Sequence, residues 1–468
     1  MHYVSTRGEA PVLGFEDALL AGLARDGGLY MPKTWPKLGP AAISALAGEP
    51  YADIATRVIE PFIGGAVPRA ELLAMARDSY AGFGHPAVTP LVQIDSDLWI
   101  LELFHGPTLA FKDLAMQLLA RLMDRALTLR GERATIVGAT SGDTGGAAIE
   151  AFRGSQRIDA IVLFPHGRVS DVQRRMMTTA REANVHAVAI DGTFDDCQAL
   201  LKAMFNDLAF RDRVKLAGVN SINWARVVAQ IGYYFAAGTA LGAPHRSVSF
   251  AVPTGNFGDI LAGYAAKRMG LPIDQLIIAT NDNDILARAH ASGVYEVRGV
   301  KATSSPSMDI QISSNFERYL YEASGREPAW VRARMGGLAQ SGRFELGTAL
   351  EPMRRDFAAM SASEAEVADC IRRVKQSSGY LLDPHTACGV VAAEKAGGGA
   401  APRIVLATAH PAKFPDAMQA ITGERPALPP RLASLMSEPE RITALPNDLA
   451  AVERFVEGLA KQKQGAAA

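Results

Sequence analysis

The chain's 468 residues exceed what one compact core organises, so two or three domains are expected. With 48% apolar and 21% charged residues, the composition is that of an ordinary globular protein and excludes a disordered or fibrous chain. A net charge of −1 gives no electrostatic case for nucleic acid or an anionic membrane as partner.

Cys197, Cys370 and Cys388 are odd in number and form no Cys-x-x-Cys pair, which argues for a reducing compartment and against a disulfide framework or structural zinc. The nine histidines show no His-Glu-x-x-His spacing, so no metal site is expected. The opening residues, MHYVSTRGEAP, lack the apolar core of a signal peptide. The uncharged stretch 227–244 is interrupted by Gln230, Tyr233, Tyr234 and glycines, and reads as a buried helix rather than a membrane span. A cytoplasmic protein is expected.

In chain order, residues 1–92 read as an N-terminal domain, with helical periodicity over 15–25 and 70–80 and a proline-rich bridge over 31–40. Pro86 and Pro90 mark its boundary. A second segment, 93–225, holds the run ELFHGPTLAFKDLAMQ (102–117). Lys112 stands there behind an Ala-Phe pair, and an unpaired lysine costs roughly several kcal/mol to bury. An apolar setting therefore points to a neutral amine or a Schiff base, whereas the plainer alternative is a helix-start lysine paired with Asp113.

From Arg133 onward, strand, loop and helix alternate: ATIVGA (134–139), IDAIVLFP, VHAVAID, SVSFAVP, QLIIATN and RIVLATA are near-continuous apolar runs. That pattern predicts parallel strands buried on both faces, in an α/β fold of parallel-rich sheets flanked by helices. The segment 226–430 contains most of the later strands. Residues 431–468 read as a helical tail ending in a frayed KQKQGAAA.

In parallel sheets, ligands bind beyond the carboxyl ends of the strands, and three loops occupy such positions. The loop 140–146 offers the hydroxyls of Thr140, Ser141 and Thr144, several glycines and a helix start, which together suit a carboxylate. A capped tight turn would use the same residues. The loop 254–259 places Gly255, Asn256, Phe257, Gly258 and Asp259 before a helix and reads as a phosphate cradle, with Asp259 expected to cap that helix. The third loop puts Thr408 at a strand end before His-Pro, where a hydroxyl can meet a ring nitrogen.

Taken together, HGPTLAFKD, Thr-Ser-Gly-Asp-Thr and Thr-Gly-Asn-Phe-Gly resemble the threonine synthases, pyridoxal-phosphate enzymes of the tryptophan-synthase-β-like group (fold type II). STRG (5–8), DGGLY (26–30), NSINWAR (220–226), DPHTA (383–387) and TAHPAKF (408–414) extend the resemblance nearly end to end, on the bacterial and fungal side of the family.

The resemblance implies that Lys112 holds pyridoxal 5'-phosphate as an internal aldimine, that 255–259 wraps its phosphate, and that Thr408 faces its ring nitrogen. Related enzymes carry Asn where Asp143 stands here, leaving the contact of Asp143 with the cofactor's phenolic oxygen open. The implied reaction converts O-phospho-L-homoserine and water into L-threonine and phosphate through an external aldimine. Phosphate is eliminated from Cγ, water then adds at Cβ, and the freed Lys112 moves the protons. Asn220, Ser221, Asn223 and Arg226 are candidates for the substrate phosphate, with His385 beside them, and a capped helix with a surface arginine is the plainer reading of the same residues. A monomer or weak homodimer is expected, with a small-molecule substrate as its partner.

Two rivals remain at this level. A dehydratase of the same fold would release ammonia from threonine or serine, but would need neither the N-terminal region nor a second phosphate site. A catalytically silent homologue would need no Lys112.

Overall fold

A computed structural model describes residues 1–397 and 399–464. The last four residues of the expected frayed tail lie outside them; the helix before them runs Leu449–Gln464. Two compact units are present. One comprises Met1–Leu19, Leu23–Ala115 and Ser221–Pro426; the other comprises Leu20–Gly22, Met116–Asn220 and the described residues from Ala427 onward.

The larger unit is built on a six-stranded sheet in the order Ala358–Ser361, Ile273–Thr280, Val248–Pro253, Arg403–Ala407, Leu98–Glu102, Leu91–Gln93. All neighbours pair in parallel except the edge strand Leu91–Gln93, which is antiparallel to Leu98–Glu102. Leu98, Ile100, Ala251, Ile277 and Val405 form a buried cluster with Val367, Ile371, Val390 and Val391 of two covering helices. Each such aliphatic side chain contributes about 1.5–3 kcal/mol on burial, which is why these strands read as unbroken apolar runs. The helix Trp224–Ala240 also packs on the sheet, with the Tyr234 ring 4.8 Å from that of Phe250. That helix is the uncharged stretch expected to be buried. Among the described residues no helix is long and apolar enough to cross a membrane.

The smaller unit has a five-stranded sheet, parallel throughout, in the order Thr443–Pro446, Val185–Asp191, Ile158–Pro165, Ala134–Ala139, Leu216–Ala217. Ile158–Pro165 is buried at every position. The C-terminal segment supplies an edge strand and the helix carrying Val452 and Val456, both in this unit's core.

The units therefore break at other points than the four segments expected from the sequence. Residues 1–19 and 23–92 fall with 221–426 because aromatic side chains join them: the Trp224 ring lies 6.3 Å from Tyr3, 6.0 Å from Trp35 and 5.9 Å from Phe62. Two expected helices appear as Phe15–Ala21 and Arg69–Tyr80; a third, Tyr51–Ile63, was not expected.

Candidate active site

In the larger sheet, Val248–Pro253, Arg403–Ala407 and Leu98–Glu102 are consecutive parallel neighbours, so their carboxyl ends share one edge. The cradle loop follows the first strand, Thr408 the second and the lysine segment the third. This adjacency brings together residues nearly 300 positions apart. A surface cavity of about 530 Å³ lined by Asp274, His290, Arg354 and Phe357 lies instead at the amino ends of Ile273–Thr280 and Ala358–Ser361, the opposite edge.

The lysine segment is pinned to the Thr408 loop by backbone. Phe111 N–H donates to Thr408 O (2.9 Å), His410 N–H donates to Leu109 O (3.0 Å), and Ala110 bridges Ala409 in antiparallel fashion. Leu109 has φ 57, a left-handed conformation that costs a non-glycine residue about 1–3 kcal/mol and that the surrounding bonds hold in place. Lys112 opens the helix Lys112–Arg130, half-buried, its Nζ 5.7 Å from the Phe111 ring centroid. Asp113, the partner in the plainer reading of Lys112, turns back to Thr108: its oxygens accept from the Thr108 hydroxyl (2.6 Å) and amide (2.8 Å). Lys413, also buried, donates to Thr108 O at 2.7 Å.

The cradle is held by its carbonyls. Gly255 O accepts from Ser313 Oγ (2.6 Å) and Asn256 O from Asn315 N–H (3.0 Å), while Phe257 adopts φ 61 ahead of the helix Gly258–Met269. Among the described residues, nothing accepts from the N–H groups of Gly255, Asn256, Phe257 or Gly258. Glycine is required at 255 because a Cβ there would lie 2.9 Å from Ser307 O. Four free donors at a helix start are the chemistry of an anion site, and they fit a phosphate.

Comparison with known proteins identifies the family. A family model for the threonine synthase N terminus matches residues 2–80, one for pyridoxal-phosphate-dependent enzymes matches 83–409, and one for the threonine synthase C-terminal region matches 386–456. The threonine synthase of Pseudomonas aeruginosa is 51% identical over 459 residues, covering 97% of this chain and 98% of its own. The crystal structure of pyridoxal-phosphate-bound threonine synthase from Brucella melitensis superposes with TM-score 0.96 at 60% identity, covering 98% of this chain and all of that one. The yeast enzyme's structure gives 0.93 at 39% identity, with 98% and 99% covered. The chain belongs to the threonine synthase family.

As a family member it is a pyridoxal-phosphate-dependent lyase of the fold expected from its sequence, and its site residues can be set against that cofactor. A lysine at a helix start, a row of free N–H groups and a buried hydroxyl residue, Thr408, at one sheet edge supply the three kinds of partner that cofactor needs. Asp259 departs from expectation. Instead of capping its helix, its Oδ1 accepts from Tyr233 (2.5 Å) and Tyr234 (2.9 Å), and its Oδ2 is buried without a hydrogen-bond partner. Burial pushes this carboxyl up to about 7, although both tyrosine donors pull the other way.

The native state therefore keeps a proton that the unfolded chain loses near pH 4. The stability contributed by Asp259 is greatest below pH 4, falls between about 4 and 7, and is level above; the full loss is on the order of 4 kcal/mol. Asp259→Asn is expected to melt at an increasingly higher temperature than the wild type as pH rises from 4 to 7. A pH-independent difference in melting temperature would refute this.

The loop 140–146 belongs to the smaller unit, at the carboxyl end of Ala134–Ala139. Thr140 Oγ1 accepts from the N–H groups of Gly142 (2.9 Å) and Gly145 (3.0 Å), so its hydroxyl fixes the turn. A Cβ on Gly145 would meet Met177 Sδ and Thr140 Cγ2 at 2.5 Å. Asp143 Oδ1 accepts from Gln173 Nε2 at 2.9 Å; Ser141 and Thr144 are half-buried.

In the NSINWAR motif, Asn220 falls in the smaller unit and Ser221 begins the next segment of the larger. Asn223 caps Trp224–Ala240 through Ala225 N–H (3.0 Å) and donates to Leu19 O (2.9 Å). Arg226 is 3% exposed rather than at the surface, and burial lowers its guanidinium to about 10, which leaves it charged at neutral pH. Both ring nitrogens of His385 are engaged: Nδ1 with Asp383 Oδ1 at 2.9 Å, and Nε2 with Ser307 N–H at 3.3 Å.

Sequence reading missed Asn315 and Arg318. Asn315 holds Asn256 O and, through Nδ2, Ser221 O (3.0 Å); Arg318 donates to Tyr30 O, Ile222 O and Asn315 Oδ1. STRG and DGGLY are tied to each other, with Ser5 Oγ donating to Asp26 Oδ1 and Leu29 N–H donating to Thr6 Oγ1, while Thr6 and Arg7 also donate to Glu317. Local spacing does not signal these ties, most of which join residues tens to hundreds of positions apart.

Proposed function

We propose that this chain converts O-phospho-L-homoserine and water into L-threonine and phosphate, with Lys112 as cofactor anchor and proton carrier. The observation that carries the reading is the shared sheet edge, where Lys112, the four free N–H groups of 255–258 and Thr408 emerge from adjacent strands. Pyridoxal phosphate, when bound, supplies an electron sink that acidifies the substrate's Cα and Cβ protons.

The chain's own residues do the rest. The N–H groups of Gly255, Asn256, Phe257 and Gly258 hold the cofactor phosphate at the positive end of a helix. Asp259 stays behind them, its carboxyl turned to the tyrosines and away from that phosphate. Thr408 would present a neutral hydroxyl to the ring nitrogen, which would leave that nitrogen largely unprotonated and the sink milder than an aspartate partner would make it. When free, the Lys112 amine would take the substrate's Cα proton, move protons at Cβ and Cγ as phosphate leaves and water adds, and return a proton to Cα.

Arg226, charged and buried, is the leading candidate for the substrate phosphate, with Ser221 and Asn220 near it in sequence; Asn223 is used as a helix cap. Thr140, Ser141 and Thr144 of the smaller unit form a carboxylate loop, and Asp143 holds its position through Gln173. The protein acts in the cytoplasm, as a monomer or weak homodimer, without nucleic acid or membrane.

Two assays test the reading. Purified holoenzyme is expected to release phosphate from O-phospho-L-homoserine while forming threonine, with little ammonia from threonine or serine. Ammonia release from threonine without phosphate release from O-phosphohomoserine would make it a dehydratase instead.

A further inference from the structure

Asp383 opens the helix Pro384–Ala396 as its cap, and its side chain is shut off from solvent. Oδ1 accepts from both the backbone N–H and Nδ1 of His385 at 2.9 Å, and Oδ2 accepts from the amide and hydroxyl of Thr386. A carboxylate so placed only accepts, so Nδ1 carries the imidazole proton and Nε2 is left with a lone pair. Ser307 N–H donates to that lone pair at 3.3 Å. The ring is 4.9 Å from that of Phe414, and the residue is 2% exposed.

Ser307 is the middle residue of the short turn Pro306–Met308. The same residue's carbonyl would be 2.9 Å from a Cβ at Gly255, and Met308 Cα 3.4 Å from it. The turn is thus the wall against which the cradle's first glycine lies. Its other end is tied by Asn281 Nδ2, which donates to Ser305 Oγ at 2.9 Å. With both nitrogens engaged, His385 can reach a substrate phosphate only by giving up one of these bonds.

We infer that His385 is a positioning residue for the cofactor phosphate and not a ligand of the substrate. Asp383 fixes its tautomer, its Nε2 holds Ser307 by the N–H, and the carbonyl of that residue, on the next peptide, sets where the Gly255–Gly258 donors sit. This rests on the reading of 255–258 as the phosphate cradle.

The test compares pyridoxal phosphate with pyridoxal, which lacks the phosphate, each titrated into apo-protein by visible absorbance. In His385→Ala, Kd for pyridoxal phosphate is expected to rise about tenfold while that for pyridoxal changes less than about threefold, the loss of one ordering hydrogen bond. His385→Gln, whose side-chain oxygen can take the Ser307 N–H, is expected to recover most of the phosphate preference. At saturating cofactor, KM for substrate stays near wild type. Should His385→Ala not fold, His385→Asn, whose amide reaches Asp383 but not Ser307, carries the same expectation.

An unchanged preference for the phosphorylated form, an equal weakening of both ligands, or a raised KM with cofactor affinity intact would each overturn the inference. A wild-type protein that binds neither ligand would instead overturn the cofactor reading on which it rests.

Discussion

Replacing Lys112 with alanine is expected to lower kcat/KM on the order of 10⁴-fold and to abolish the absorbance band of the lysine aldimine, leaving that of unlinked cofactor. Two roles are lost at once, covalent anchor and proton carrier, and no neighbouring amine can assume them. Lys413, the other lysine on this edge, donates to Thr108 O and is 1% exposed, so moving it would break the loop that positions residue 112. Cofactor still binds through the cradle, so the variant should retain pyridoxal phosphate without linking it. Borohydride reduction followed by peptide mapping reads the same point directly: wild type is expected to carry a pyridoxyl group on Lys112 alone. A label on any other lysine, or a Lys112→Ala protein with more than a tenth of wild-type activity, would remove Lys112 from the mechanism.

The second large effect is on stability. Arg318 is fully buried: its Nε donates to Tyr30 O at 3.0 Å, its remaining nitrogens serve Ile222 O and Asn315 Oδ1, and its Cζ lies 5.5 Å from the centroid of the Trp224 ring. Burial depresses the guanidinium to about 9, so at neutral pH the charge persists and three acceptors depend on it. Methionine would fill much of the volume but leave those acceptors unpaired. Arg318→Met is therefore expected to cost about 3–5 kcal/mol, measured as a lowered denaturant midpoint. Pyridoxal phosphate affinity should fall with it, since Asn315 holds both Asn256 O and Ser221 O. A midpoint within experimental error of wild type would show that packing, not the guanidinium, joins Tyr30, Ile222 and Asn315.

These two residues mark the limit of what residue type and spacing convey. Lys112 and the cradle stood out in the sequence only together: a lysine amid apolar residues and glycines before a helix each have a plainer reading, and it was their joint match to one family's motifs that singled them out. Arg318 did not stand out, since FERYLYEA has the pattern of an ordinary amphipathic helix and two of its three partners, Tyr30 O and Ile222 O, are brought to it only by folding. Asp259 was legible as a helix-start carboxylate and misjudged in direction, because Tyr233 and Tyr234 reach it from another helix. His385 was singled out for its place after Asp-Pro, but which groups its nitrogens meet depends on a turn nearly eighty residues earlier.

The sequence by itself determined the α/β class, the succession of buried strands and the family, and singled out Lys112 as the candidate anchor. All follow from local period, composition and contiguous motifs, which survive without knowledge of contacts. Only the tertiary structure decided which strands are neighbours, and hence that residues 112, 255–258 and 408 share an edge. It also decided that 1–19 and 23–92 fall with 221–426, and which side chains hold the site rather than form it. Strand order and buried hydrogen bonds are set by pairings between distant segments, and many pairings satisfy the same local pattern until one core is packed.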